Sequence, residues 1–568
     1  MHPFKSSTRL IAILSVALCT PALAQTVTWQ HVANNADNAP GSGAGYVFRS
    51  YNQPAINSDG LLVFRARSSS GGQQIDGVYT ADAVSGVISK VLARNDTVPD
   101  PNNTLYTGVL ADFTEFPSIP RIDANSALLA TRGQSQPVWT YLLDGSETRV
   151  GTSGIYVSDG APAWTAASLL GAVVEADQVT PSFPWFSVPD AVIGTRFDQF
   201  PGAPTAFDGR YVAFKGNYTD PFDGLGKTGV YYRDVTTSSP VPYTALVASS
   251  NTRIPNQPTG SDVKFGATAP PSAAVSSIYF TGWDNEDTPT MGGIYRAHPH
   301  AGSSASVLLA ASPLPLTTIV GIGDQVPGQA PGETFTNFGE VLSLSSDGSQ
   351  VAFWATWGTQ TIPKILDCPT DGRPELVAYC NEQYPSGYAV DVPLHQGIFV
   401  YDEATGTVYP IATTGEAGMQ DFLFWHFSGR VPGSGSEDDS LEFARWRSSA
   451  FMALSTPAGK PVETAFQAVR NGIEGLYIRE RLLNPLPPVT VAEVGVTPGT
   501  DIDPAAPVDS LVSSVGIERD GFRNGRMAIT ASMLWVDPLD PQISESWAGI
   551  YAGDVQASDL IFRDGFEL

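Results

Sequence analysis

Residues 26–41 read TVTWQHVANNADNAPG. The first half has the character of a β-strand, and the second half is a polar turn holding Asp37 and Pro40. The turn returns along the chain as ARNDTVPD at 93–100, VEADQVTP at 174–181 and GIGDQVPG at 321–328. In those interior places it follows the last strand of a repeating unit. At 26–41 the strand and the turn stand with no unit before them. The reading of this orphan strand separates an open stack of repeats from a closed ring.

The unit is marked most clearly by a glycine, an aliphatic and an aromatic residue in succession. It occurs as Gly77-Val78-Tyr79, Gly154-Ile155-Tyr156, Gly229-Val230-Tyr231, Gly293-Ile294-Tyr295, Gly397-Ile398-Phe399, Gly475-Leu476-Tyr477 and Gly549-Ile550-Tyr551, at spacings of 77, 75, 64, 104, 78 and 74 residues. Upstream of the marker lie a short segment, a turn and an apolar strand, as in PAINSDGLLVFRAR (54–67), PTAFDGRYVAFKG (204–216) and LSLSSDGSQVAFWA (342–355). The Asp-Gly pairs suit tight hairpin turns, whose central positions take positive φ. Downstream comes a fourth strand, as in ISKVLA (88–93) and VYPIATT (408–414). Each unit therefore reads as four antiparallel strands, A to D, with the marker in strand C. Repeated around an axis, such units are the blades of a β-propeller. The seventh copy lacks a fourth strand of its own. The orphan strand supplies one, closing the ring and leaving no open sheet edge. The expected fold is all-β: a seven-bladed β-propeller of four-stranded blades closed by the N-terminal strand. The acidic turn is then the D-to-A connection, its Asp bonding the turn rather than a metal. The copies after blades three and six, NTRIPNQPTG and GVTPGT, lack that Asp.

Composition agrees. The chain has 568 residues, of which 15% are charged, with 55 Gly and 45 Pro. This profile suits short strands and many turns. The segment nearest to a helical period, AWTAASLLGAVVE (163–175), is equally explained as strand and loop. Residues 1–24 read as a secretory signal peptide: Lys5 and Arg9, an apolar run, then Ala22-Leu23-Ala24 before a cut ahead of Gln25. Residues 25–556 form the propeller, 557–568 a short C-terminal tail, and the expected location is periplasmic or secreted. Removing residues 1–24 takes away two bases and no acid, moving the formal net charge from −26 to −28. Such a chain repels nucleic acid and anionic membranes, and no segment suits membrane insertion. Cys368 and Cys380, twelve positions apart, are expected to pair in an oxidising compartment. Closing so short a loop contributes roughly 3 kcal/mol in the chain-entropy account.

The repeats, sharpest at Pro54–Phe64 and Gly323–Gly328, resemble an uncharacterised family of secreted bacterial tandem-repeat proteins. The resemblance implies a propeller-like fold and export, and no activity. It is weak in the copy PPSAAVSSIYF, which has lost its turn glycine.

No nucleophile elbow, zinc helix or EF-hand loop occurs. Gly226-Lys227-Thr228 mimics the end of a phosphate loop, but Pro221 stands where its first glycine belongs. His298 and His300 read as turn residues, and Glu437-Asp438-Asp439 as a solvated loop that could at most take Ca²⁺. No cofactor or metal site is expected. Long B–C excursions are expected at 133–153, 356–396, 456–474 and 532–548. B–C and D–A connections emerge on one face of a propeller, so these loops should crown it. Their aromatics Trp139, Tyr141, Trp283, Trp357, Trp535 and Trp547 are the candidate binding residues, with packing of the loops as the alternative. The functional expectation is an exported, monomeric, non-enzymatic binding or scaffold propeller whose partners are a neutral glycan, a peptide or a basic protein. The alternative is a hydrolase or lyase with a metal or carboxylate site in the central funnel.

Overall fold

A computed structural model describes residues 27–555 apart from 100–111, 137–138, 144–145, 151–153, 160–163, 170–172, 175–180, 183–185, 193–194, 237–242, 301–309, 371–373, 430, 433–442, 482–485 and 541. Seven antiparallel sheets follow one another around an axis, each built from four consecutive strand positions. Blade 1 runs Val47–Tyr51 and Ala55–Ile56 (A), Leu61–Ser70 (B), Gln73–Asp82 (C) and Ile88–Ala93 (D). Blade 7 takes A, B and C from Leu511–Arg523, Arg526–Val536 and Ser544–Val555. Its fourth strand is Val27–Asn34, paired antiparallel to strand C from Val27 opposite Val555 to Asn34 opposite Gly549. The orphan strand thus closes the ring, as its sequence requires. The segment 163–175 contributes Thr165–Leu169, strand D of blade 2. Among the described residues no helix is long and apolar enough to cross a membrane.

The chain has no single core. Among the described residues a core lies between each pair of neighbouring blades. The last joins Ala528, Ile550 and Ala552 of blade 7 to Phe48, Leu62 and Phe64 of blade 1. The repeated tripeptide organises all of them. Its aliphatic and aromatic side chains are fully buried in every blade. Between them the register of strands C and D slips by one residue, in all seven blades. In blade 1, Val78 faces Leu92 and Tyr79 faces Lys90, so Val91 is the extra residue of a β-bulge. The aromatic ring folds back over the glycine two residues earlier while the bulged strand presses from the side. A Cβ on Gly549 would meet both Ala33 O and Tyr551 Oη at 2.5 Å, so only glycine fits. A phenylalanine of strand A meets the aromatic ring edge-on, as Phe48 meets Tyr79 with centroids 5.1 Å apart at 87°.

The D-to-A turns have the expected logic. Asp37 accepts the Asn34 N–H (2.8 Å), Asp96 the Ala93 N–H (2.7 Å) and Asp324 the Gly321 N–H (2.7 Å). After blades 3 and 6 a threonine takes the same place: Thr252 accepts from Ser249 (3.0 Å) and Thr497 accepts from Glu493 (2.8 Å), donor three or four residues back. Any short side-chain oxygen at this position serves, which identifies the acid as a turn former. Asp177 lies outside the described residues.

Strand A, which faces the axis, is interrupted at one level in every blade. The interruptions are 52–54, 116–120, 200–204, 269–271, 339–341, 422–451 and 518–521. Prolines explain four of them, since Pro54, Pro120, Pro204 and Pro271 offer no N–H to a ladder. In blade 6 the interruption expands into a hairpin of Phe424–Ser428 and Arg445–Ser449. The sequence reading missed this insertion and placed an excursion at 456–474 instead. That stretch is a short A–B turn followed by strand B, Glu463–Arg470, which joins strand C through the two-residue turn Asn471-Gly472, both at positive φ. The excursion of blade 5 is real. It holds a hairpin, Thr361–Leu366 with Tyr388–Pro393, and the helix α1, Pro374–Gln383.

Candidate functional site

Six of the interruptions, those of blades 2 to 7, line a cavity of about 380 Å³. Its wall takes Pro117, Ser118 and Ile119 from blade 2, Gly202 and Ala203 from blade 3, Pro270 from blade 4 and Glu340 and Val341 from blade 5. Arg121, Arg132 and Arg519 add positive charge, and the blade 6 hairpin contributes His426 and Ser449. The His426 ring reaches solvent at the mouth. Crowding by the hairpin and then the charge of Arg447 hold its pKa below the usual imidazole value, favouring the neutral ring.

The floor is a buried ionic network supplied by GIERDGFR, 516–523. Arg121 pairs with Glu518 and, at 2.5 Å, with Asp520. Arg523 pairs with Asp520 at 2.7 Å and donates to the carbonyls of Leu344 (2.8 Å) and Leu454 (3.3 Å). Arg519 donates to Pro271 O (3.1 Å), and Ser343 Oγ donates to Arg519 O (2.7 Å). One six-residue stretch of blade 7 is thereby tied to blades 2, 4, 5 and 6. Burial alone would raise the Asp520 pKa, but Arg121, Arg523 and Arg519 outweigh it and hold the carboxyl below its ordinary value. Burial pushes the Arg519 guanidinium down to about 10, so it stays charged at neutral pH.

Beneath this network the A–B turns meet across the axis. Ser58 Oγ bonds Ser346 Oγ (3.0 Å), Asn125 Nδ2 donates to Ser346 O (2.7 Å) and Asn524 Nδ2 donates to Ser58 O (3.1 Å). These turns belong to blades 1, 2, 5 and 7, and they close that end. The axial space is a blind funnel open toward the crowned face.

Four of the predicted aromatics, Trp283, Trp357, Trp535 and Trp547, fall elsewhere. Trp283 is only 4% exposed and donates to Asn337 Oδ1 at 3.0 Å. Trp357, also 4% exposed, stacks on His395 and stands edge-on to Phe399. These two rings pack the interior, the second of the two roles the sequence allowed. Trp547 is half-buried and donates to Asp503 Oδ2 at 2.8 Å, where Asn34 and Tyr551 also converge. Trp535 is half-buried in strand B of blade 7. Trp139 and Tyr141 stand opposite Val150 and Thr148 in the hairpin Trp139–Leu143 with Ser146–Val150. The funnel wall includes none of Trp283, Trp357, Trp535 and Trp547.

Cys368 and Cys380 are disulfide-bonded, as expected. Their role is positional. Leu376 and Cys380 of α1 pack with Tyr379, Tyr384, Phe427 and Trp446, joining the blade 5 excursion to the blade 6 hairpin. Tyr388 stacks on Trp446 with centroids 6.4 Å apart at 8°. The disulfide loop thus supports the hairpin that carries His426 and Ser449 to the funnel.

The remaining candidates are turn residues or out of view. His298 Nδ1 donates to Ser276 O (2.8 Å), and the His300 N–H donates to Tyr232 Oη (3.1 Å). Glu437-Asp438-Asp439 lies outside the described residues. Among the described residues no group of three or more His, Cys, Asp or Glu side chains is placed to hold a metal ion. The funnel was not found from sequence because its residues come from six blades far apart in the chain. Two signals pointed to it: the proline opening the inner half of strand A in blades 1 to 4, and the run of charge Glu518-Arg519-Asp520 in blade 7.

No protein-family model and no curated protein matches the chain. Among solved structures it is similar to the β-propeller domain of the Trilobed protease from Pyrococcus furiosus, at 10% identity and TM-score 0.34, over 88% of this chain and 97% of that one. It is likewise similar to the polysaccharide lyase Uly1, at 9% identity and TM-score 0.37, over 94% and 100% of the two chains. A third match, a prolyl endopeptidase, has 10% identity and TM-score 0.36 over 89% of this chain. The chain spans about half the length of the two prolyl peptidases it matches, 50% and 52%. The likeness concerns propeller architecture alone.

Proposed function

We propose that this chain is an exported, non-enzymatic binding propeller that takes its ligand into the axial funnel from the crowned face. The observation behind this reading is that the buried carboxylates of the floor, Glu518 and Asp520, are already paired with Arg121 of blade 2 and with Arg523. A ligand needs to bring no charge to satisfy them. Beside Arg132, Arg519 and Glu340, the wall above offers hydroxyls, an imidazole and apolar proline faces, which suit a polar molecule such as a glycan or peptide end. A volume of about 380 Å³ lies within the roughly 300–1,000 Å³ usual for small-ligand sites.

The test is a titration of neutral cell-envelope oligosaccharides and short peptides against the mature protein and a Ser449→Trp variant, whose indole obstructs the mouth. A ligand that binds the parent should lose at least tenfold in affinity with the variant, at unchanged melting temperature. Equal binding to both proteins places the ligand outside the funnel. His426 favours a second reading, because a neutral imidazole at the mouth is a proton acceptor. In that case the funnel is a hydrolase or lyase site, and mass spectrometry of the recovered ligand shows cleavage that His426→Ala abolishes.

A further inference from the structure

The crowned end of blade 7 carries an exposed apolar surface away from the funnel. Leu511 of strand A lies directly opposite Leu534 of strand B, and both are exposed. Val536 follows two residues on, so its side chain shares the face of Leu534. The B–C loop adds Leu539, 93% exposed, and Ile543, while Val508, 75% exposed, stands just before strand A. Of the seventeen large hydrophobic side chains exposed among the described residues, seven come from 496–511 and 534–543. Such a concentration marks an interaction surface rather than scattered surface apolarity.

The charges within its two segments are of one sign. Asp501, Asp509, Asp540 and Glu545 are exposed beside these aliphatics. Neither 494–511 nor 533–548 contains a lysine or an arginine. We infer that this blade end docks a basic amphipathic segment of a partner protein, its apolar side chains on the Leu511–Leu534–Leu539 surface and its lysines or arginines against the surrounding carboxylates. A second copy of this chain is disfavoured, because at −26 it would bring like charge. An anionic bilayer is disfavoured for the same reason.

The probe is an 18-residue amphipathic peptide of leucine and lysine, titrated against the mature protein. Its binding should weaken at least tenfold in Val508→Ser/Leu539→Ser, whose side chains are too exposed to matter to the fold. It should be unchanged in Phe222→Ser, exposed on another crown loop, and in Ser449→Trp, which separates this surface from the funnel. Asp540→Asn/Glu545→Gln should flatten the loss of affinity between 50 and 300 mM salt, a range on the order of the Debye-length change that screens exposed charges. The inference is overturned if the double serine variant binds as the parent does, or if the peptide with glutamate in place of lysine binds equally well. It is also overturned if the same variant instead abolishes binding to phosphatidylglycerol vesicles or breaks a dimer seen by sedimentation.

Discussion

Val275 holds φ at 49° in the two-residue turn between strands A and B of blade 4. The same position of the two-residue turn in blade 7 is held by Asn524, also at φ 49°, a residue that tolerates this region better than valine. A β-branched residue there costs about 1–2 kcal/mol, because its Cβ crowds the following carbonyl. Val275→Gly should therefore raise stability by roughly 1 kcal/mol after the added freedom of the unfolded glycine is subtracted. Denaturant melts measure it, and an unchanged or lowered midpoint would show that the turn is unstrained. Glu463, at the start of strand B in blade 6, is strained differently. Its carboxyl is buried, Oε2 has no hydrogen-bond partner, and burial followed by the charge of Glu480 raises its pKa to about 7. The folded state thus holds a proton that the unfolded state loses near 4.5. Below pH 4.5 the group costs nothing. As pH rises from 4.5 to 7 its contribution is lost, and above 7 the full penalty applies. Glu463→Gln should be neutral at pH 4 and stabilising by ~1–3 kcal/mol at pH 8. Equal effects at both pH values would rule out titration of this side chain as the cause.

At the scale of elements, the bulge in strand D recurs in all seven blades while the residue at it varies, Val91, Val247 and Ile411 among them. The geometry is dictated by the glycine and aromatic of strand C, so one strand sets the shape of its neighbour. The blade 6 hairpin shows the opposite dependence. Phe424 and Trp425 pack against its own blade, but its far side rests on α1 through Phe427 and Trp446. With Cys368→Ser/Cys380→Ser the loop that orders α1 is released. Amide exchange in Phe424–Ser428 and Arg445–Ser449 should quicken at least tenfold, while strands of blades 1 to 4 keep their protection. Uniform change across the blades, or none in the hairpin, would show that α1 does not hold it in place.

For the whole molecule, closure is the central device. The strand Val27–Asn34 covers the edge of Ser544–Val555 and carries Val32 and Ala33 into the core between blades 7 and 1. A protein lacking residues 25–33 exposes that edge and removes Val32 and Ala33 from that core. It should melt well below the parent and aggregate on concentration, and a synthetic peptide of residues 26–38 should restore part of the loss. Unchanged solubility and melting would mean that the ring holds without its clasp. The ionic floor reinforces closure from inside, since Arg121 of blade 2 and Glu518 and Asp520 of blade 7 join across the axis. Buried pairs of this kind add little net stability, but losing one partner is severe. They select one arrangement of blades.

Blade number, strand order, the closing strand and the disulfide were all legible in the sequence. Each rests on contacts that are local or that repeat at a fixed spacing, and repetition makes even a loose tripeptide such as Gly229-Val230-Tyr231 informative. Secretion was legible only as an expectation, and its carrier, residues 1–24, lies outside the described structure. The funnel depended on tertiary structure. Arg121, Glu340, His426 and Arg519 are neighbours because the ring returns on itself, and nothing in their own flanking residues announces it. The same holds for Trp283 and Trp357. Their expected place in loops suggested exposure, whereas both end strand B of their blades, where Asn337, His395 and Phe399 cover them. A linear pattern can specify which strands pair, since pairing follows the order of the chain. What faces the axis is set by the closure of seven blades, a relation among distant residues that no single segment carries.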